Sequence, residues 1–199
     1  MPLNIPNLLT WARILLIPLV VGVYYLPLSA AEQNLVATAA FLVAAFTDWI
    51  DGWLARKLNQ TSAFGAFLDP VADKLMVAAA LVMLVELNRV DAMLAFIIIG
   101  REIAISALRE WMAKIGAAKS VAVSFIGKLK TITQMTAIPM LLWHTAIGPI
   151  DVHLIGTWSL WIAALLTLWS MIYYLKMAWP EISARQLHQT ESSPRRASR

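Results

Sequence analysis

Hydrophobic positions in this chain fall in long unbroken runs, with none of the strict alternation of a half-buried strand. A helix needs about 20 apolar residues to cross a bilayer. On that length the runs predict six helices, near 8–28, 33–55, 66–87, 92–113, 123–143 and 154–178. Polar interruptions separate them at Pro27, at 57–62 (KLNQTS), at Asn88-Arg89, at 114–120 (KIGAAKS) and at 148–153 (GPIDVH). Pro18 lies inside the first run and predicts a bend there. The expected fold is an all-α integral membrane protein, a six-transmembrane-helix bundle over residues 1–180. The polar, arginine-rich stretch 181–199 (EISARQLHQTESSPRRASR) is expected to be a disordered tail.

Composition agrees with a membrane setting. Of 199 residues, 60% are hydrophobic and 14% charged, with a mean hydropathy of +0.69; a soluble domain carries about 25% charged residues. Residues 1–7 contain no lysine or arginine, so the positive start of a cleavable signal is missing and the first run is kept as a span. With no cysteine in the chain, disulfides and thiolate metal sites are excluded.

Charge predicts the orientation. Arg56, Lys57, Lys114, Lys119, Lys128, Lys130 and the tail arginines fall on one side of the six runs. The opposite loops, around Glu32, Arg89 and Asp151, hold one arginine and no lysine. Positively charged loops stay inside, so both termini are expected to be cytoplasmic. The net charge of +4 is concentrated in the tail, where it suits anionic membrane lipids. No folded basic module accompanies it, so nucleic acid is not an expected partner. No internal repeat points to a transporter with inverted halves.

Four aspartates disturb the apolar pattern: Asp48, Asp51, Asp69 and Asp73, within 48–73 (DWIDGWLARKLNQTSAFGAFLDPVAD). An aspartate at mid-membrane costs roughly 2.5–3.5 kcal/mol, and several close together also repel. A shared cation removes both penalties. At about 100° per residue, Asp48 and Asp51 share a helix face with Gly52 and Ala55, whose small side chains admit a ligand. Gly65, Asp69 and Asp73 are four apart and share a face of the next helix if it continues through Pro70. Asp69 can instead be an N-cap with Pro70 at the first helical position. Packing the two helices antiparallel would bring the four carboxylates to one centre. Oxygen-only donors favour Mg²⁺ or Mn²⁺, and two such ions could clamp a diphosphate. His144 and His153 fall at the opposite side and read as interfacial residues.

The stretch fits D-x2-D-G-x2-A-R-x8-G-x3-D-x3-D at every position: Asp48, Asp51, Gly52, Ala55, Arg56, Gly65, Asp69 and Asp73. It thereby resembles the CDP-alcohol phosphotransferases. The resemblance implies a six-helix membrane enzyme, usually a homodimer, in the cytoplasmic membrane of a bacterium with its site facing the cytoplasm. It also implies that Asp48, Asp51, Asp69 and Asp73 bind metal, and that Asp73 is the base that deprotonates the acceptor alcohol. Gly52, Ala55, Arg56 and Gly65, with Arg13 and Asn7, would receive CDP-diacylglycerol. Segments 4–18 (NIPNLLTWARILLIP), 101–113 (REIAISALREWMA) and 121–135 (VAVSFIGKLKTITQM) are similar to bacterial members whose acceptor is glycerol 3-phosphate.

Charge supports an anionic acceptor independently. Arg101, Arg109, Lys128 and Lys130 lie in or beside apolar runs. Each can be a snorkelling cation or a partner for a carboxylate, and Glu102 and Glu110 stand ready as partners. Together they suit a second phosphate, which serine, choline or ethanolamine would not need and inositol phosphate would. Arg13 can anchor the first span or contact the nucleotide. Lys74, about 100° from Asp73, is expected to snorkel or pack between helices.

Overall fold

The computed structural model describes residues 5–58, 63–117 and 125–192. Among them are six α-helices and no strand: α1 Ile5–Gly22, α2 Ala30–Leu58, α3 Ala63–Glu86, α4 Ala92–Lys114, α5 Phe125–Trp143 and α6 Val152–Ser192. A single 3₁₀ turn, Val23–Tyr25, follows α1. Each predicted run is a helix, with ends shifted by a few residues. The largest shift is in α6, which continues to Ser192 through Pro180 and so takes up much of the stretch expected to be disordered. Residues 181–192 hold no glycine or proline, so nothing in them stops a helix already propagating from the membrane side.

Local signals set the helix starts at one end of the bundle. Ser29 and Glu32 form a reciprocal capping box: the Ser29 amide donates to Glu32 Oε2 at 2.9 Å and the Glu32 amide to Ser29 Oγ at 3.3 Å. Asp91 Oδ1 accepts from the amides of Met93 and Leu94 at 2.8 and 3.3 Å, and Asp151 Oδ1 accepts from Leu154 at 2.9 Å. α3 ends where Asn88 turns left-handed (φ 55°), with the Arg89 amide donating to Leu84 O at 2.8 Å. Gly116 (φ 80°) closes α4 in the same way, its neighbour Ala117 donating to Met112 O at 2.8 Å.

α1 packs on α2 and α3, α5 on α6 and α2, and α4 on α6 and α3. The interior relies on small residues, including Ala37, Ala44, Ala72, Ala80, Ala137 and Ala163, which let helices approach closely. Where α6 crosses α5, a Cβ on Gly156 would lie 3.0 Å from Leu141 Cγ and 3.1 Å from Met140 Cβ. Outside, large apolar side chains stand exposed: Leu15, Trp49, Phe67, Phe96 and Trp169 are each at least 65% accessible. A water-facing surface of that kind would be an aggregation site, whereas lipid favours it. Three segments, Leu8–Tyr25, Ala30–Ile50 and Val152–Pro180, are long and apolar enough to cross a membrane. The other three helices are interrupted by charged side chains, among them Asp69, Asp73, Lys74, Arg101, Arg109 and Lys130.

Candidate active site

The aspartates meet a cation and a hydroxyl supplied by α1. Thr10 and Arg13 are three apart on one face of that helix, and both are almost fully buried. Arg13 Nη1 lies 2.6 Å from Asp48 Oδ1 on α2, and the Thr10 hydroxyl donates to Asp69 Oδ1 on α3. A buried guanidinium needs such a partner, so Arg13 is no interfacial anchor. Pro70 sits inside α3, so the continuous-helix alternative holds and Asp73 follows Asp69 by one turn on the same face. Asp48 and Asp73 line one small cavity together with Arg13.

Oxygen donors from two helices facing one cavity are the type a hard divalent ion takes. Among the described residues, no three carboxylate or imidazole groups converge closely enough to hold a metal together. The Asp51 carboxylate, expected as the further donor, lies outside the described residues, as do the side chains of Asn7, Gly52, Ala55 and Arg56. Gly65 is buried in α3.

Asp73 also opens on a larger cavity of about 390 Å³, within the range of small-molecule sites. Its walls include Lys74 of α3, Arg101, Glu102, Ser106 and Arg109 of α4, and Thr131 of α5. Two turns separate Arg101 from Arg109, and α6 fixes both. Arg101 Nη2 donates to Ser170 Oγ at 2.7 Å, and Arg109 Nη2 to the Tyr174 hydroxyl at 2.8 Å. Their guanidinium carbons stand 5.8 and 4.8 Å from the Tyr174 ring centre. The partners on α6 are neutral, and the buried Nε atoms of both arginines make no hydrogen bond among the described residues. Glu102 is shared: its Oε1 pairs with Lys130 and lies 3.6 Å from Arg101 Nη1. Three cations therefore line the cavity with Asp73 and an already engaged Glu102. Such a wall attracts a small dianion.

The expectation for Lys128 needs correction. It is exposed on α5, whereas Lys130 is buried and paired with Glu102, and neither lysine is in the wall of the larger cavity. Two residues on a helix point about 200° apart, so only one of the pair can turn inward. Lys74, expected to snorkel or pack between helices, lines the cavity beside Asp73, its Nζ donating to Pro70 O at 3.1 Å. Glu110 pairs with Lys114 at 2.8 Å on the surface and leaves Arg109 to Tyr174. Thr10, Ser170, Tyr174 and Gln134 belong to the site region and were not expected from sequence. Polar residues four apart in an apolar run, such as Ser170 and Tyr174 or Lys130 and Gln134, are the signal that marks them. His144 and His153 stack edge to face at 4.5 Å, at the far end of α5 from the site.

The chain is 51% identical over 180 residues to the CDP-diacylglycerol–glycerol-3-phosphate 3-phosphatidyltransferases of Salmonella choleraesuis (strain SC-B67), Shigella flexneri and Escherichia coli (strain K12). The match covers 89% of this chain and 96% of each relative. Residues 3–169 match the CDP-alcohol phosphatidyltransferase family as a whole, a stretch that holds all four aspartates and both cavity arginines, so the chain belongs to that family.

Proposed function

We propose that this protein transfers the phosphatidyl group of CDP-diacylglycerol to the 1-hydroxyl of sn-glycerol 3-phosphate, giving phosphatidylglycerophosphate and CMP. The observation that carries the reading is one cavity with a carboxylate, Asp73, and a pair of arginines, Arg101 and Arg109, in its wall. The activity for which the relatives are named supports the same reaction. Arg101 and Arg109 hold the acceptor phosphate, and Lys74 adds charge beside Asp73. Asp73 takes the proton of the 1-hydroxyl. A new bond forms between that oxygen and the phosphorus carrying diacylglycerol. The bond from that phosphorus to CMP breaks, and its electron pair leaves with CMP. Asp48, Asp51, Asp69 and Asp73 would hold Mg²⁺ or Mn²⁺, which when bound neutralises diphosphate charge. Arg13 positions Asp48, and Thr10 positions Asp69.

All six helices cross the membrane in this reading, with both termini and the site on the cytoplasmic side of a bacterial inner membrane. The lysines and arginines flanking α2, α4 and α5 support that side. The lipid tails stay in the bilayer while glycerol 3-phosphate and CMP exchange with water. Family resemblance also supports a homodimer. Purified protein in detergent with CDP-diacylglycerol, glycerol 3-phosphate and Mg²⁺ should release CMP and the phosphatidylglycerophosphate lipid in equal amounts. EDTA should stop both, and added Mg²⁺ or Mn²⁺ should restore them. Turnover indifferent to EDTA would remove the metal from the reading.

A further inference from the structure

Behind Asp73 a small recess adjoins the main cavity, sharing Asp73, Lys74, Glu102 and Thr131 with it. Lys130 and Gln134 complete its polar lining. Lys130, Thr131 and Gln134 fall within one turn of α5, so a single face of that helix supplies them. Two of the polar side chains in the recess are tied to protein partners. Glu102 is held by Lys130 and Arg101. The Thr131 hydroxyl donates to Gly127 O at 3.0 Å. Gln134 differs: it is 4% exposed, and its buried Oε1 makes no hydrogen bond among the described residues. Buried polar atoms are rarely left in that state, so an acceptor oxygen placed in a substrate recess calls for a donor from the substrate.

We infer that Gln134 reads the acceptor, its Oε1 accepting a hydrogen bond from the 2-hydroxyl of glycerol 3-phosphate, the hydroxyl that does not react. The inference rests on the function proposed above. Its chemistry fits the order of groups in the acceptor. The phosphate lies with Arg101 and Arg109, the 1-hydroxyl with Asp73, and the 2-hydroxyl between them faces the recess. Gln134 is thus a specificity residue. An acceptor lacking the 2-hydroxyl would leave the amide unpaired, which discriminates more strongly than any loss of apolar contact.

The test compares glycerol 3-phosphate with 3-hydroxypropyl phosphate, which keeps the phosphate and the reacting primary hydroxyl but has no 2-hydroxyl. Wild-type kcat/KM should favour glycerol 3-phosphate by at least about tenfold. Gln134→Met, of similar length but without an acceptor oxygen, should lower kcat/KM for glycerol 3-phosphate far more than for the analogue, so that the preference collapses toward one. Gln134→Glu, which restores an oxygen at the same reach, should recover part of it. Wild-type protein that uses both acceptors alike overturns the inference, whatever the variants do. So does a Gln134→Met protein that keeps the wild-type preference, because a merely structural residue would slow both acceptors in proportion. Wild-type protein that turns over neither overturns this inference and the proposed function together.

Discussion

Asp73 borders both the small cavity it shares with Asp48 and the larger one lined by Arg101 and Arg109, and no other acidic residue among those described does so. Its proposed role as base makes a sharp prediction. Asp73→Asn keeps size and hydrogen bonding but cannot take the proton, so turnover should fall by about 10²–10⁴. Binding of CDP-diacylglycerol, followed by equilibrium titration, should be largely kept. Wild-type turnover in that variant would remove Asp73 as the base. Arg109 is held by a neutral tyrosine and faces the same cavity, so its charge is available to a ligand. Arg109→Ala should raise KM for glycerol 3-phosphate more than KM for the lipid. Equal effects on both would make it a structural residue. At this scale the sequence was readable where one helix decides the outcome. The spacing of Asp69 and Asp73, or of Arg101 and Arg109, puts each pair on one face without knowledge of the fold. Partners on other helices were hidden. Thr10 for Asp69, Arg13 for Asp48 and Tyr174 for Arg109 depend on how helices cross. That Lys128 and Lys130 part company was also readable, because residues two apart on a helix point about 200° apart, but not which of them turns inward.

At the scale of elements, the bundle is pinned at the end opposite the site. Ser29, Asp91 and Asp151 cap α2, α4 and α6 there. Arg89, the one cation of the opposite loops, ties three elements together. It donates to Leu141 O and Leu142 O at 3.2 and 2.9 Å at the end of α5. It also reaches Asn34 Oδ1 on α2 at 2.8 Å and lies 6.0 Å from the Tyr24 ring centre. A guanidinium on the last carbonyls of a helix also complements its dipole. Arg89→Met should therefore destabilise the protein by about 1–3 kcal/mol, seen as a lower midpoint of thermal unfolding in detergent. KM for both substrates should not move, since Arg89 lies far from the cavity along α3. A shift in either KM would show that the two ends are coupled. Helix existence was legible because apolar runs of this length have few alternatives. The far extension of α6 was not, because polar composition alone does not say whether a helix already started will stop.

For the whole molecule, the surface departs from that of a soluble protein, and a few charged and polar side chains are enclosed in an otherwise apolar interior. Bulky apolar side chains face outward, while Arg13, Arg101, Lys130 and Gln134 lie inside. The charges that build the site also thin the apolar runs of α3, α4 and α5, which is why three helices and not six stand out by length and composition. The proposed orientation can be checked cleanly because the chain has no cysteine. With an impermeant thiol reagent on spheroplasts, Thr145→Cys should label at once and Ala117→Cys only after permeabilisation. The reverse pattern would put the site on the outer face. The central claim is that this cavity selects a phosphorylated polyol and presents its hydroxyl to Asp73. Its most direct test is CMP release from CDP-diacylglycerol with glycerol 3-phosphate, inositol 1-phosphate, serine and phosphatidylglycerol offered separately. Release is expected with glycerol 3-phosphate alone. Release with serine or phosphatidylglycerol, and none with glycerol 3-phosphate, would contradict it.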